Sequence, residues 1–243
     1  MIRGTTPIGS QTEQQAALWV RGMFGQIAPR YDLLNHLLSL NIDRYWRRRT
    51  VARVAAVLAK PDARVLDLCC GTGDLMLALE VRRGRPVLGS DFSHPMLVAA
   101  RHKVEQRKLG SKLFESDALG LPVAGGSLDL ITVAFGFRNL ANYRQGLAEL
   151  RRALKPGGTL AVLEFSQPRN RSFAAAYNFY SANILPRLGS WISGSKDAYT
   201  YLPESVRRFP TAEELAEEMR NAGFDNVHFE RMTGGIVALH VAS

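Results

Sequence analysis

The sequence is poor in cysteine, in long apolar runs and in acidic residues relative to basic ones. Its 243 residues include two cysteines, Cys69 and Cys70, which are adjacent and therefore cannot join distant segments or supply metal-ligand spacing. We interpret them as small residues packed under a turn, since no partner for a catalytic thiol can be identified. No stretch approaches the ~20 apolar residues of a transmembrane helix, and residues 1–15 lack the apolar core of a signal peptide. We therefore expect a cytoplasmic protein.

The deficit of acidic residues leaves a formal net charge of +9, from 31 lysines and arginines against 22 aspartates and glutamates. Such a balance favours an acidic partner, either nucleic acid or an anionic membrane surface, and composition does not separate the two. Hydrophobic residues make up 46% of the chain. That content is enough to bury the core of one large α/β domain or of two small ones.

The stretch 64–74, RVLDLCCGTGD, joins an apolar strand to a glycine turn. Gly71 and Gly73 follow the strand with one residue between them, and residues 75–79 have helix-forming composition. Strand, turn and helix form one βα unit, in which the glycines let the backbone turn sharply and a ligand approach closely. A βα turn without a ligand is the alternative. It leaves the acidic residues around the loop and at the next strand unexplained.

The next predicted strand, residues 86–91, ends in Asp91, twenty residues after Gly71. A carboxylate at that strand tip can accept two hydrogen bonds from a ribose, which NAD and S-adenosylmethionine (SAM) both carry. A pyrophosphate-binding loop has a third glycine where this chain has Met76, and Asp67 precedes the loop. Carboxylates there repel a pyrophosphate but suit the cationic amino acid end of SAM. The predicted SAM-binding residues here are Asp67, Gly71, Thr72, Gly73 and Asp91.

Several motifs resemble those of one methyltransferase family. DLCCGTGD resembles motif I of the class I SAM-dependent methyltransferases. Residues 31–46, YDLLNHLLSLNIDRYW, are similar to the N-terminal signature of the menaquinone/ubiquinone biosynthesis C-methyltransferase family. Leu34 stands in place of the family methionine and Asp43 in place of the family histidine. FGFRN at 135–139 and LKPGGTLAVLEFSQP at 154–168 resemble two further segments of that family.

The resemblance implies an α/β, Rossmann-like class I methyltransferase fold. Its sheet would be mostly parallel with an antiparallel last strand, and helices would cover both faces. Residues 1–58 are then predicted to form an N-terminal helical extension or lid. Residues 59–243 would form the SAM-dependent methyltransferase domain, with a helical substrate cover inserted at about 169–210.

Local patterns predict several individual elements. Residues 112–115 and 128–134 read as strands, and the polar residues 1–16 as loose chain. Thr211 and Glu214 have the spacing of a capping box at the start of the last long helix. These predictions depend on short-range signals alone.

The resemblance also implies the reaction: SAM-dependent C-methylation of the ring of demethylmenaquinol to menaquinol, with S-adenosylhomocysteine as the second product. The ubiquinone-pathway benzoquinol, 2-methoxy-6-polyprenyl-1,4-benzoquinol, is the alternative substrate, alone or in addition. An RNA or DNA methyltransferase would suit the basic charge. However, FGFRN stands where base N-methyltransferases often have an Asn/Asp-Pro-Pro-Tyr/Phe motif, and no RNA-binding module is attached. A SAM-binding protein without catalysis conflicts with the substrate-side motif.

Candidate catalytic residues follow from the chemistry of a quinol. A phenol has a pKa of about 10 and is mostly neutral at pH 7, and a nearby guanidinium favours the nucleophilic phenolate. We predict that Arg138 stabilises the phenolate and that Asn139 orients its oxygen, directly or through water. Water, Asp32 or Tyr31 is the candidate proton acceptor, and the sequence does not choose among them. By resemblance, the residues that contact the adenine are Asp117 and Ala118.

The apolar segment 33–40, followed by arginines within 44–49, has two interpretations. It is either a core helix with a solvated basic end or a lid that contacts a membrane, with leucines toward acyl chains and arginines toward phosphate head groups. Together with the aromatic-rich residues 173–180, it is the predicted route for an isoprenoid tail. We expect a polyprenylated quinol substrate, weak salt-sensitive contact with the anionic inner face of the membrane, and no nucleic-acid partner. The oligomeric state, including a homo-oligomer, stays open.

Overall fold

The fold is an α/β structure built on one seven-stranded sheet, and the computed structural model describes residues 4–7, 9–180 and 196–243. The strands are β1 (Val65–Leu68), β2 (Leu88–Asp91), β3 (Lys112–Glu115), β4 (Leu128–Ala134), β5 (Leu154–Phe165), β6 (His228–Met232) and β7 (Val237–Ala242). Their order is β3-β2-β1-β4-β5-β7-β6, and β7 alone runs antiparallel to both of its neighbours. The expected mostly parallel sheet with an antiparallel last strand is confirmed.

Helices precede the sheet and alternate with its strands. They are α1 (Glu13–Ile27), α2 (Tyr31–Leu38), α3 (Ile42–Arg53), α4 (Ala55–Leu58), α5 (Asp74–Arg83), α6 (His94–Gln106), α7 (Tyr143–Ala153), α8 (Arg171–Phe179), α9 (Lys196–Arg208) and α10 (Ala212–Asn221). Pro29 lies in a short 3-10 turn between α1 and α2. Helices α8 and α9 fall within the expected substrate cover, whose residues 181–195 lie outside the described residues.

The two faces of the sheet are covered by different helices because strand side chains alternate in direction. Leu66 and Leu68 of β1 belong to one buried cluster, together with Leu147 of α7. Val65, the residue before Leu66, belongs to the other buried cluster, together with Leu75 of α5. Helices therefore cover both faces, as expected, and the loops at the carboxyl ends of the parallel strands are left to form a site.

The N-terminal residues are more ordered than their composition predicts. The Oγ1 atom of Thr12 accepts a hydrogen bond from the backbone N–H of Gln15, 3.2 Å away, so α1 begins at Glu13. Thr5 is buried and its backbone N–H donates to a carbonyl oxygen at 2.8 Å. The expectation of loose chain is therefore wrong for residues 4–7 and 9–16, and residues 1–3 and 8 lie outside the described residues. A local cap and long-range contacts outweigh their polar composition.

Candidate functional site

The glycine loop lies between β1 and α5 and has the conformation that glycine allows. Gly71 and Gly73 have φ angles of +55° and +88°, in the left-handed region that other residues avoid. A Cβ atom on Gly73 would lie 3.1 Å from the terminal methyl of Met76, which is fully buried. Met76 thus packs directly beneath the loop, at the position where a pyrophosphate-binding loop has its third glycine.

Asp91 lies at the end of β2, beside this loop. Its carboxylate accepts the backbone N–H groups of Gly71 and Ser93, each at 2.9 Å. Burial raises the pKa of Asp91 to about 6, against the opposing effect of these hydrogen bonds. Two backbone donors hold the carboxylate in place, and its remaining lone pairs are directed to other donors such as a ribose diol.

Asp67 is buried beneath the loop, and it is not among the residues that line the cavity described next. It accepts a hydrogen bond from the hydroxyl of Thr132 at 2.6 Å, and the backbone N–H of Met76 also bonds to it. Burial raises the pKa of Asp67 to about 7. Its carboxyl supports the first turn of α5, and the contact of this acid with the cofactor stays a prediction.

The cavity next to Asp91 brings together residues from five parts of the chain. Six of the residues singled out from the sequence line it: Tyr31, Gly71, Asp91, Asp117, Ala118 and Asn139. Its walls are largely apolar and include Phe92, Met96, Leu119 and Phe135. Ala17 and Phe24 of α1 also line it, so the N-terminal helix closes one side.

The volume of this cavity is about 50 Å³. Sites for small-molecule ligands usually have ~300–1,000 Å³. In this conformation the cavity is smaller than a molecule the size of SAM, and α1 and Tyr31 form one of its sides. The ring of Tyr31 lies 3.7 Å from the position of a Cβ atom on Gly71, and the ring of Phe24 meets it edge-on at 6.0 Å.

Asp32 and Thr72 connect the N-terminal helices to the glycine loop. The hydroxyl of Thr72 donates a hydrogen bond to Asp32, and the ammonium of Lys103 lies 2.6 Å from the same carboxylate. Lys103 also pairs with Asp74 at 2.7 Å. None of these four residues lines the cavity. Asp32, a candidate proton acceptor, is instead held in an ion pair.

Asp43, which stands in place of the family histidine, is buried in a second ionic cluster. It accepts hydrogen bonds from Ser39 at 2.6 Å and from Arg47, and Nδ1 of His36 lies 2.8 Å from its carboxylate. Burial opposes ionisation, but these partners lower the pKa of Asp43 below its usual value. Together with Asp74, this cluster joins α2 and α3 to the start of α5.

Arg138 and Asn139 lie in a short turn after β4, and both are buried. Nη1 of Arg138 donates to Oε1 of Glu164 at 3.1 Å, and its backbone N–H donates to Oε2 of the same glutamate at 3.2 Å. The guanidinium also stacks over the ring of Phe165, 5.3 Å from its centre. Burial opposes the charge, but Glu164 raises the pKa of Arg138 and keeps it ionised. Arg138 does not line the cavity, whereas Asn139 does.

The amide of Asn139 is oriented by residues far away in the sequence. Its Oδ1 atom accepts the hydroxyl of Tyr201 at 3.0 Å, and that hydroxyl also lies 2.7 Å from Oγ1 of Thr5. Its Nδ2 atom donates to the backbone oxygen of Phe135 at 3.3 Å. One N–H of the amide is therefore left to donate to a substrate oxygen.

The chemistry of the residues that line the cavity suits SAM. Asp91 is a preorganised acceptor for a ribose diol, and Met96, Ala118 and Leu119 give apolar surfaces for an adenine ring. Gly71 lets the backbone approach a ligand closely. When bound, SAM supplies an electrophilic methyl group.

A family model fits this arrangement across nearly the whole chain. The model of the ubiE/COQ5 methyltransferase family matches residues 10–243. The chain belongs to this family. It is a SAM-dependent methyltransferase, and SAM is its cofactor.

Curated relatives in the family are similar over most of their length. A demethylmenaquinone methyltransferase of Thermus thermophilus is 51% identical over 220 residues, covering 90% of this chain and 98% of the relative. One of Deinococcus radiodurans is 47% identical, covering 97% and 95%. A ubiquinone/menaquinone biosynthesis C-methyltransferase UbiE of Dinoroseobacter shibae is 39% identical, also covering 97% and 95%.

Solved structures of other proteins share the fold of this chain. A SAM-dependent methyltransferase of Aquifex aeolicus is 20% identical with a TM-score of 0.57, covering 79% of this chain and 88% of that one. The [4+2]-cyclase SpnF is 20% identical with a TM-score of 0.66, covering 95% and 80%. At such identities the likeness shows the class I methyltransferase fold alone.

Sequence reasoning missed two residues that hold Arg138 and Asn139 in place, Glu164 and Tyr201. Glu164 lies within the LEFSQP segment that carried the resemblance, so a buried acid in a strand was a visible signal. Tyr201 lies in α9 and had no local signal, because its partners Asn139 and Thr5 are 62 and 196 residues away.

Proposed function

We propose that the protein transfers the methyl group of SAM to a ring carbon of demethylmenaquinol, giving menaquinol. The relatives with 51% and 47% identity are named for this reaction. The observation that carries the proposal is that one cavity is bounded by Asp91 on the cofactor side and by Asn139 on the side of the family motif. A methyl donor and a quinol ring can therefore meet there.

In this proposal, the remaining N–H of Asn139 donates to the quinol oxygen next to the reacting carbon. Arg138 lies outside the cavity lining and acts on the quinol oxygen from there, as one half of a buried ion pair with Glu164. Because Glu164 neutralises Arg138, the pair stabilises a phenolate through its oriented dipole, by less than a lone arginine would. The apolar cavity walls exclude water from the methyl donor.

We assign the quinol proton to water, since the two side-chain candidates are poorly suited to accept it. Asp32 is paired with Lys103 and does not line the cavity. Burial raises the pKa of Tyr31, which makes its basic tyrosinate form still rarer at neutral pH. Tyr31 then acts as part of the cavity wall and as a hydroxyl donor.

A benzoquinol of the ubiquinone pathway is a second candidate substrate. It is favoured by the relative of Dinoroseobacter shibae, which is 39% identical and whose name covers both pathways. Cavity residues such as Phe135 and Leu140 would contact the apolar face of a ring. They therefore do not distinguish the single ring of a benzoquinol from the two fused rings of a naphthoquinol. Nothing in these relatives favours a nucleic-acid substrate.

We further propose that residues 1–58 act as a lid. Ala17, Phe24 and Tyr31 close the cavity, and the ion pairs of Arg21 with Glu115 and of Asp32 with Lys103 hold the lid down. Helices α8 and α9 would cover the substrate from the other side.

The outer face of this lid supports peripheral membrane contact. The leucines of α2 and the following turn are exposed, Leu33 by 60% and Leu40 by 72%, and Leu37 and Tyr45 lie beside them. Arginines at 44 and 48 are exposed as well. We propose that this face, called the leucine face below, rests on anionic lipid, where a polyprenyl quinol is dissolved. Among the described residues, no helix is long and apolar enough to cross a bilayer.

Labelled SAM with chemically reduced demethylmenaquinol and demethylated benzoquinol tests the proposed reaction. We expect label in the naphthoquinol product. Label in both products would make the enzyme serve both pathways. Protein that binds SAM but labels neither quinol would contradict the proposal.

A further inference from the structure

A second cavity, of about 320 Å³, lies far from the site described above. It is formed where α4 and α5 end, and four basic side chains line it: Lys60, Arg82, Arg83 and Arg85. We call these four residues the basic pocket. Helix α5 begins at the glycine loop and ends here, so its ten residues separate the two sites by about 15 Å.

Within the described part of the chain, the charges of the basic pocket are offset only from a distance. Asp129 attracts Lys60 and Arg83, and Asp62 attracts Arg83. None of the four residues forms an ion pair within that described part, although arginines elsewhere pair with acids, as Arg49 does with Glu230 and Arg152 with Glu149. Cations that share one cavity and are only partly compensated produce a positive potential that attracts anions.

Only part of this cluster has a structural role. Arg83 donates to the backbone oxygens of Pro86 at 2.8 Å and of Pro61 at 3.2 Å, and Arg85 donates to Pro61 at 2.7 Å. Basic residues also suit the carboxyl end of a helix. These contacts do not account for the two remaining cations, Lys60 and Arg82, whose side chains have no hydrogen-bond partner in the described chain.

Arg83 shows how unfavourable the arrangement is without an anion. Its Nε atom is buried and has no hydrogen-bond partner. Burial and the neighbouring charge of Arg85 lower the pKa of Arg83, and the more distant Asp129 and Asp62 offset this only in part. An anion in the cavity would relieve the repulsion among these cations.

We propose that the basic pocket binds a small anion that carries one or two phosphate groups. Arginine side chains present paired N–H donors that match phosphate oxygens, and Lys60 adds a mobile point charge. The volume exceeds that of one phosphate and lies at the lower end of the range for small-molecule sites. The proposal does not depend on the quinol reaction, since none of these residues lines the catalytic cavity.

Titration calorimetry with inorganic pyrophosphate tests the site, at fixed ionic strength set with sodium chloride. The variant Lys60→Gln/Arg82→Gln removes the two cations that have no partner, and we expect pyrophosphate to bind it about tenfold or more weakly. Methyl transfer should be unchanged in this variant. Arg101→Gln/Arg107→Gln, which changes two exposed arginines of α6 and its C-terminus, is the matched control and should bind like the wild type.

Vesicles of phosphatidylcholine with phosphatidic acid distinguish the source of the phosphate. Loss of pyrophosphate binding in Lys60→Gln/Arg82→Gln indicates a free phosphate ligand. Loss of vesicle binding in that variant, without any pyrophosphate binding by the wild type, indicates a lipid head group. The proposal is overturned when neither probe separates this variant from the wild type, or when the control loses binding equally.

Discussion

Arg138 and Glu164 form an ion pair that is almost fully shielded from water, with 3.1 Å between Nη1 and Oε1. The two residues come from adjacent strand ends, β4 and β5, and the same glutamate also accepts the backbone N–H of Phe165. A charge in such a place is tolerated only with its partner, because desolvation costs several kcal/mol per ion. Glu164 therefore determines where the guanidinium lies and how strong a positive potential it produces in the cavity.

Glu164→Gln should remove that counter-charge while keeping the size of the side chain. We expect the free energy of unfolding to fall by about 3–5 kcal/mol, because Arg138 is left charged and unpaired. Turnover should also fall by about tenfold or more, because the loss of the partner that holds the guanidinium in position outweighs the gain in free charge. SAM affinity should stay within about twofold of the wild type. Denaturant unfolding and labelled-SAM kinetics measure these quantities. Glu217→Gln, which breaks an exposed pair with Arg220, should change the unfolding energy by less than ~1 kcal/mol. Wild-type stability in Glu164→Gln would contradict this account.

Tyr201→Phe removes one hydroxyl and keeps the ring contact with Trp19, whose centre lies 5.1 Å away. The amide of Asn139 then loses its orienting donor, so we expect turnover to fall about tenfold while SAM affinity is unchanged. Thr5→Val is the matched control, because it removes the other partner of the same hydroxyl and leaves the bond to Asn139. Equal losses in both variants would show that Tyr201 acts through folding rather than through Asn139.

SAM binding should depend on pH through Asp91. The ionised carboxylate accepts the ribose hydroxyls, and burial raises its pKa to about 6 in the free protein. Affinity should therefore be constant above pH 7 and weaken below about pH 6, by up to tenfold per pH unit. Asp91→Asn should bind SAM more weakly by ~1.5–3 kcal/mol and show a flat profile in this range. A wild-type profile that is flat down to pH 4.5 would exclude the assignment.

Lys103→Gln should loosen the lid, because Lys103 holds both Asp32 of the N-terminal helices and Asp74 of α5. We expect SAM to associate and dissociate several-fold faster, with its equilibrium affinity little changed, and residues 10–40 to be cut sooner by limited proteolysis. Stopped-flow fluorescence of Trp19 and Trp46 follows the exchange. Arg101→Gln, on the same helix, should exchange SAM at the wild-type rate. Identical rates in both variants would show that Lys103 does not hold the lid closed.

The leucine face should anchor the protein on anionic vesicles at low salt. Leu33→Ser/Leu37→Ser/Leu40→Ser should abolish sedimentation with phosphatidylglycerol vesicles, because the apolar contact is lost. Wild-type binding should weaken as salt screens the arginines. Val81→Ser/Val98→Ser, which changes two exposed valines elsewhere, is the control and should bind normally. If wild-type protein does not sediment at low salt, this surface is not a membrane contact.

The sequence alone was sufficient for several elements and for the contact between the glycine loop and Asp91. Strands 112–115 and 128–134 were predicted with the bounds that the structure has, and the capping box of Thr211 and Glu214 is present. Gly71 and Asp91 lie together as the βα pattern requires. Each of these features depends on neighbours in the chain or on one repeated unit, whose geometry is set by local backbone preferences.

Only the tertiary structure decided how charges are paired around the substrate side. The sequence predicts that Arg138 stabilises a phenolate, and the structure pairs its guanidinium with Glu164. Asp32 was read as a candidate base, yet it is held by Lys103. The orientation of Asn139 depends on Tyr201, 62 residues away. A residue's charge is visible in a sequence, but the partner that neutralises it is chosen by the packing of distant segments, which no local pattern encodes.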